Sequence, residues 1–282
     1  MPHPPIGAHV PVAGGLATAG LRYAADVGAE AIQVFVSNPR GWAQAQANLA
    51  EDAVFTTRAF CLPVFVHASY LVNLASPDAR TAELSVASLR HALRRGGEIG
   101  ARGVVVHTGS AVRTDQNVAL RQVRELLLPL LDQIGEMGPD VLLESTAGQG
   151  QSLCAPVTDF GRYLDALDWH PRAAICLDTC HAYAAGHDLG APGGVTAVLD
   201  ALDAAARPGR LKLVHANDSK DPCGSRRDRH ENIGAGHIGE EPFGELLRHP
   251  LTEGVPFVVE TPGPAAAHAR DIATLKGLRD AR

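Results

Sequence analysis

The chain has 282 residues, 45% hydrophobic and 20% charged, a balance that fits an ordinary folded protein and excludes the disordered and fibrous classes. Its net charge of −6 argues against a general nucleic-acid binder, whose surface is usually basic. No stretch reaches the roughly 20 uninterrupted apolar residues of a membrane span, and the N-terminal MPHPPIGAHV lacks the basic and apolar regions of a secretory signal. A cytoplasmic protein with no membrane partner is expected.

In chain order, a strand is predicted at 6–10 (IGAHV), a helix at 16–27, a strand at 32–36 (IQVFV) and a helix at 49–60. The run LPVFVH makes a third strand that stops at His67, and a helix at 79–99 follows. GVVVH stops at His107 before a helix at 116–134, and VLLE stops at Glu144 before one at 157–167. AICLD stops at Asp178 ahead of a helix at 195–206; KLVH stops at His215, and a short helix is predicted only at 243–247. PFVVE stops at Glu260, and a helix at 265–278 ends the series. Strand and helix alternate eight times without a linker. Near-continuous apolar strands suit a sheet covered on both faces, so the expected fold is a single-domain α/β (β/α)8 TIM barrel over residues 1–282. The segment 217–239, rich in glycine and charge, is expected to be a long functional loop.

Six of these strands end on His, Asp or Glu, at intervals of 40, 37, 34, 37 and 45 residues, the pitch of a βα repeat. A single such residue is more often a strand terminus meeting solvent. Six of six are hard to explain that way, because parallel strands bring all their carboxyl ends to one mouth, where the active site of a barrel lies. His181, three positions after Asp178, is expected at the start of the following loop, and Asp228 and His230 form an Asp-x-His pair in the long loop. Five imidazoles and four carboxylates suit zinc, manganese or iron. They are too many for one ion, and two or three ions sharing a bridging Glu144 are the natural partition. Clustered cations stabilise a multiply charged oxyanion and generate hydroxide near neutral pH, which phosphoester hydrolysis needs. The local field of such a cluster outweighs the net charge.

Cys61, Cys154, Cys176, Cys180 and Cys223 are odd in number and scattered, as free thiols in a reducing compartment would be. The spacing of Cys176 and Cys180 favours packing over ligation.

The segments GAHV-x3-GGL (7–16), H-x-SYL-x-NL (67–74), LLESTAGQG (142–150), CLDTCHAYAAGHDL (176–189), NDSK (217–220), GSRRDRHENIGAGHIG (224–239) and ETP (260–262) resemble the signatures of the endonuclease IV family of apurinic/apyrimidinic endonucleases, within the xylose-isomerase-like TIM barrel superfamily. That resemblance implies a base excision repair enzyme that cuts double-stranded DNA on the 5′ side of an abasic site, leaving a 3′-hydroxyl and a 5′-deoxyribose phosphate, by way of metal-activated hydroxide. Duplexes with 3′-blocked ends are further expected partners, a monomer is the expected state, and nucleoid association would come through DNA. The implied cofactor is Zn2+, three per chain, with Mn2+ able to replace part of it. His67 and His107 would hold one ion, Asp178, His215 and Glu260 a second, with Glu144 bridging, and His181, Asp228 and His230 the third. Glu144 and Glu260 are the implied catalytic pair, acting on the hydroxide's proton.

Arg40 in SNPRGW resembles the family's lesion-probing wedge, Trp42 its packing support, and Tyr70 the aromatic that fills the base stack. Arg226, Arg227 and Arg229 are suitable phosphate contacts. Thr108 stands where the family commonly has proline, and the loop before Arg40 lacks a common lysine. A metal-dependent sugar isomerase or epimerase on the same barrel is the alternative, and it would not call for the set His181, Asp228 and His230.

Overall fold

The structure is a computed structural model that describes residues 3–281. Its strands are β1 (Ile6–His9), β2 (Ile32–Phe35), β3 (Val64–His67), β4 (Gly103–His107), β5 (Asp140–Glu144), β6 (Ala173–Asp178), β7 (Leu211–His215), β8 (Asp218–Ser219), β9 (His230–Glu231) and β10 (Phe257–Val259). All but β8 and β9 are parallel and close into an eight-stranded barrel in the order β1-β10-β7-β6-β5-β4-β3-β2, while β8 and β9 pair as an antiparallel ribbon. The helices are α1 (Leu21–Val27), α2 (Leu49–Arg58), α3 (Ala79–Glu98), α4 (Gln116–Asp132), α5 (Phe160–Ala166), α6 (Thr179–Ala184), α7 (Gly194–Ala206), α8 (Glu241–Arg248) and α9 (Ala265–Asp280). Among the described residues, no helix is long and apolar enough to cross a membrane.

Side-chain alternation along the strands sets the position of the site. The barrel interior is a small apolar cluster that includes Ala31, Phe65, Val105, Leu142, Cys176, Leu213 and Val258. Successive side chains in a strand point to opposite faces, so the residue two positions later points the same way. Those residues are Gln33, His67, His107, Glu144, Asp178, His215 and Glu260. The apolar plug is therefore roofed by a polar layer, both written into the same strands. Outward-facing residues such as Val66, Val104, Val106 and Leu143 pack under the helices in the larger core.

Helix starts are fixed by side-chain caps: Asn48, Asp78 and Asp115 accept backbone N–H groups of the first turns of α2, α3 and α4, each a contribution of about 1 kcal/mol. A buried fork from Arg95 to Asp52, at 2.9 and 3.0 Å, ties α3 to α2. Gly7 permits the close approach of β1 to the chain before β2, where a Cβ would lie 1.6 Å from Ala31 O.

The eight alternations appear as predicted, with shifts at the ends. β1 stops at His9 rather than Val10, and the first helix opens with a wide turn at Leu16–Gly20 before α1. The segment after Asp178 is the short helix α6, not a loop, because the Asp178 carboxylate caps it by accepting His181 N–H at 2.7 Å. The long loop is also more ordered than expected, since it contains the β8–β9 ribbon.

Candidate metal centre

Glu144 lies at the centre of the polar layer and is fully buried. Its Oε2 is 3.2 Å from His67 Nε2 and 3.3 Å from His107 Nε2. Its Oε1 is 3.1 Å from His215 Nδ1 and 3.3 Å from His181 Nδ1. The two oxygens thus face two different groups of imidazoles. Glu260 Oε2 approaches His215 Nδ1 to 3.2 Å from β10, one residue past its end. Ligand atoms within metal-binding range of one another fall into the sets His67–His107–Glu144, Glu144–Asp178–His215–Glu260, and Asp178–His181–His230.

Histidine tautomers are set by what each ring donates to. His67, His181 and His230 place Nδ1 against backbone carbonyls of Ala68, Ser145 and Glu260, at 2.7, 2.9 and 3.3 Å. An Nδ1–H donated to a carbonyl leaves the Nε2 lone pair free for a metal. His215 is turned the other way, with Nε2 donating to Gln33 Oε1 at 2.9 Å and Nδ1 facing the carboxylates.

Asp228 and His230 come from the long loop. Asp228 Oδ1 is 3.1 Å from His181 Nε2 and 3.2 Å from His230 Nε2. Both of those buried nitrogens lack a properly directed hydrogen bond, so each has a lone pair to offer a cation. The loop is folded around Asp218, whose buried carboxylate accepts from the backbone N–H of Ser219, Gly234, Gly236 and Ile238 at 2.7 to 3.1 Å. Gly236 sits so close that a Cβ would meet Ser219 O at 2.4 Å. Asn217 braces the far side, donating to Asp178 Oδ2 and accepting Glu260 N–H.

Charges in the cluster reinforce one another. Burial pushes the Glu144 carboxyl up, but His107, His215 and the other rings outweigh it and hold it well below the usual range. Asp228 is likewise lowered by His181 and His230 against its own burial. His181 and His215 are raised well above the ordinary imidazole value, again against burial, His181 by Asp178, Asp228 and Glu144, and His215 by Cys176 followed by Glu260 and Glu144. A dense set of anionic oxygens interleaved with imidazoles is a donor set that cations of zinc type fit.

All nine residues expected at the mouth are brought together. Asp178 is additionally placed between the second and third sets, not confined to the second. The sequence reading passed over His9 and Gln33. His9 Nδ1 is 3.3 Å from Glu260 Oε1, and fully buried Gln33 bonds to His9, Glu260 and His215. His9 was hidden by drawing the first strand one residue long, and Gln33 was the one polar residue in an apolar run. The Cys180 thiol also lies within ligand range of Asp228 and His230. It instead donates to Arg229 O at 3.5 Å, and burial pushes the Cys176 and Cys180 thiols up to about 12. All five cysteines are free.

Tyr70 is half-exposed beside the cluster, its ring 5.3 Å from that of His67 and 6.0 Å from that of His107. It borders a cavity of about 240 Å³ lined also by Asn73, Gln149, His107, His181 and Asp228. Among the described residues the exposed guanidinium groups of Arg40 and Arg226 have no ion-pair or hydrogen-bond partner. Arg227 stands 3.7 Å from Asp221, whereas Arg229 forks onto Asp221 at 2.6 and 2.7 Å. Trp42 is tucked near His91 and Ser88, in keeping with a packing role.

A family model described as xylose isomerase-like TIM barrel matches residues 21–278. A protein named probable endonuclease 4 from Streptomyces avermitilis is 59% identical over 282 residues, covering 98% of this chain and 90% of the relative. One of the same name from Streptomyces coelicolor is 57% identical over 284 residues, covering 99% and 97%. The crystal structure of endonuclease IV from Thermus thermophilus superposes with a TM-score of 0.86 at 34% identity, covering 98% of each chain. A D-tagatose 3-epimerase-like protein superposes with a TM-score of 0.72 at 17% identity over 97% of this chain and 96% of its own, a likeness of fold alone.

Proposed function

Because the chain belongs to the endonuclease IV family of xylose isomerase-like TIM barrels, we propose that it is a zinc-dependent DNA-repair hydrolase that cuts the phosphodiester 5′ to an abasic site, leaving a 3′-hydroxyl and a 5′-deoxyribose phosphate. The observation that carries this reading is the convergence of nine histidine and carboxylate side chains in overlapping sets about Glu144. His67, His107 and Glu144 would hold one ion; Glu144, Asp178, His215 and Glu260 a second; His181, Asp228 and His230, with Asp178 alongside, a third. Ions so held would supply Lewis-acid stabilisation of a phosphorane-like transition state and would acidify water near neutral pH.

The chain's own groups do the rest. Glu144, with one oxygen toward each side of the cluster, fixes the separation of the first two sets. Glu260 is held by Gln33 and His9 with its second oxygen toward His215, in position to take a proton from a water entering the centre. Tyr70 offers an aromatic face at the lip of the cavity, where it can fill the stack left by an extruded abasic sugar. Extrusion costs least where there is no base to unstack, so the lesion favours its own selection. Arg40, Arg226 and Arg227 project from loops on the same rim and suit phosphate contacts.

A duplex carrying one tetrahydrofuran abasic analogue tests the reading. Incision immediately 5′ to the analogue, abolished by prolonged chelation and restored by zinc, is the expected result. A zinc-loaded protein that leaves this duplex intact overturns it.

A further inference from the structure

Gln33 occupies, on β2, the layer position that a candidate ligand occupies on β3, β4, β5, β6 and β7. Unlike them it is a neutral amide; it is fully buried, and its side-chain hydrogen bonds are directed into the cluster. Its Oε1 accepts from His215 Nε2 at 2.9 Å, its Nε2 donates to Glu260 Oε1 at 2.7 Å, and His9 Nδ1 stands 2.9 Å from the same nitrogen. The orientation of the amide is forced. Turning it over would set its oxygen against the Glu260 carboxylate at 2.7 Å, two acceptors with no proton between them.

We propose that Gln33 is a positioning residue for the metal centre, holding His215 in the Nε2–H tautomer so that Nδ1 is its ligand atom while aiming Glu260 at the same ion. The proposal rests on the metal-dependent reading above. His67, His181 and His230 use backbone carbonyls for the corresponding task. His215, the ring turned the opposite way, depends on this side chain instead. One side chain therefore sets a ring and a carboxylate.

The test compares zinc affinity, by competition with a chromophoric chelator, in the wild-type chain and Gln33→Met, which keeps the volume and removes both bonds. Outer-sphere partners of this kind typically carry about 10–100-fold in metal affinity, and a loss of that size is expected, with the thermal midpoint of the zinc-free variant equal to or above that of the zinc-free wild type. A folded variant that binds zinc as tightly as the wild type overturns the proposal alone; a wild-type chain that takes up no zinc overturns the functional reading and the proposal with it. Should the variant not fold, the wild type still decides. In zinc-loaded protein labelled with ¹⁵N-histidine, His215 is expected to carry its proton on Nε2 and the metal on Nδ1, and the opposite assignment overturns the proposal.

Discussion

Asn217 donates its side-chain N–H to Asp178 Oδ2 at 2.8 Å, and its Oδ1 accepts the backbone N–H of Glu260 at the same distance. One buried amide thereby locks a β6 carboxylate to the β10 terminus. Removing it in Asn217→Ala leaves Asp178 Oδ2 and the Glu260 N–H without this partner, at a cost of about 1–3 kcal/mol to folding. It also frees Asp178 to rotate away from the cluster. Zinc affinity and incision rate are expected to fall together, by about 10–100-fold. Isothermal titration with zinc and single-turnover incision would check this; unchanged zinc affinity in a destabilised variant would confine Asn217 to a role in folding.

Glu144→Ala removes the side chain shared by the first two sets. The imidazoles of His67, His107 and His215 lose their shared anion, so two of the three sets are dismantled together. Zinc content measured by atomic emission should drop by more than one ion per chain, and incision should fall further than the 10–100-fold typical of outer-sphere changes. Loss of a single zinc with activity retained would show that Glu144 does not bridge.

The third set depends on a different anchor. Asp218 gathers four backbone N–H groups of its loop, and Asp218→Asn replaces half of that acceptor with a competing donor. A penalty on the order of 3 kcal/mol is expected from buried bonds to a charged group. Because the ribbon holds His230, limited proteolysis between β8 and β9 and loss of one zinc should precede unfolding of the barrel. Simultaneous loss of all the metals and of the whole fold would count against a separable loop.

Six of the nine candidate ligands were legible as strand ends because a period of two, applied to an apolar strand, places the ligand two residues beyond a barrel-plug residue. Phe65 precedes His67, Leu142 precedes Glu144 and Leu213 precedes His215 in this way. The same rule applied to Ala31 would have found Gln33. Helix α6 was missed although Asp178 is a capping residue, since its role as a strand end hid its role as a helix start. The two-residue strands β8 and β9 have no periodicity to read. Asp218's four partners lie 1 to 20 residues ahead of it, so the loop's shape is a tertiary fact that local pattern does not carry.

Glu30 supplies a pH-dependent clasp remote from the metals. Burial alone would raise its pKa, but hydrogen bonds from Arg279, Lys276 and the Ile6 backbone N–H outweigh this and lower it. A carboxylate with a depressed folded-state pKa adds stability that is present above its unfolded value and disappears as pH falls through the folded one. The group is partly exposed, so after discounting for solvent screening the contribution is about 1 kcal/mol or less. Glu30→Gln should therefore be less stable than the wild type at pH 7, and the gap should close below the usual glutamate range near roughly pH 4. Urea unfolding at both pH values measures it, and a gap that persists in acid would assign the effect to packing.

The arginines on the rim divide by what already pairs them. Arg229 forks onto Asp221, and Arg227 stands near the same carboxylate, while Arg40 and Arg226 are exposed and unpaired among the described residues. A guanidinium free to meet a phosphate releases counterions on binding, so its removal lowers the slope of log affinity against log salt by about 1. Arg40→Ala and Arg226→Ala should each show that change on an abasic duplex in fluorescence anisotropy across a salt series. Arg229→Ala should leave the slope nearly unchanged and act through the loop instead, because the lost charge was already balanced by Asp221. Equal slope changes for all three variants would mean that DNA draws Arg229 away from Asp221 on binding.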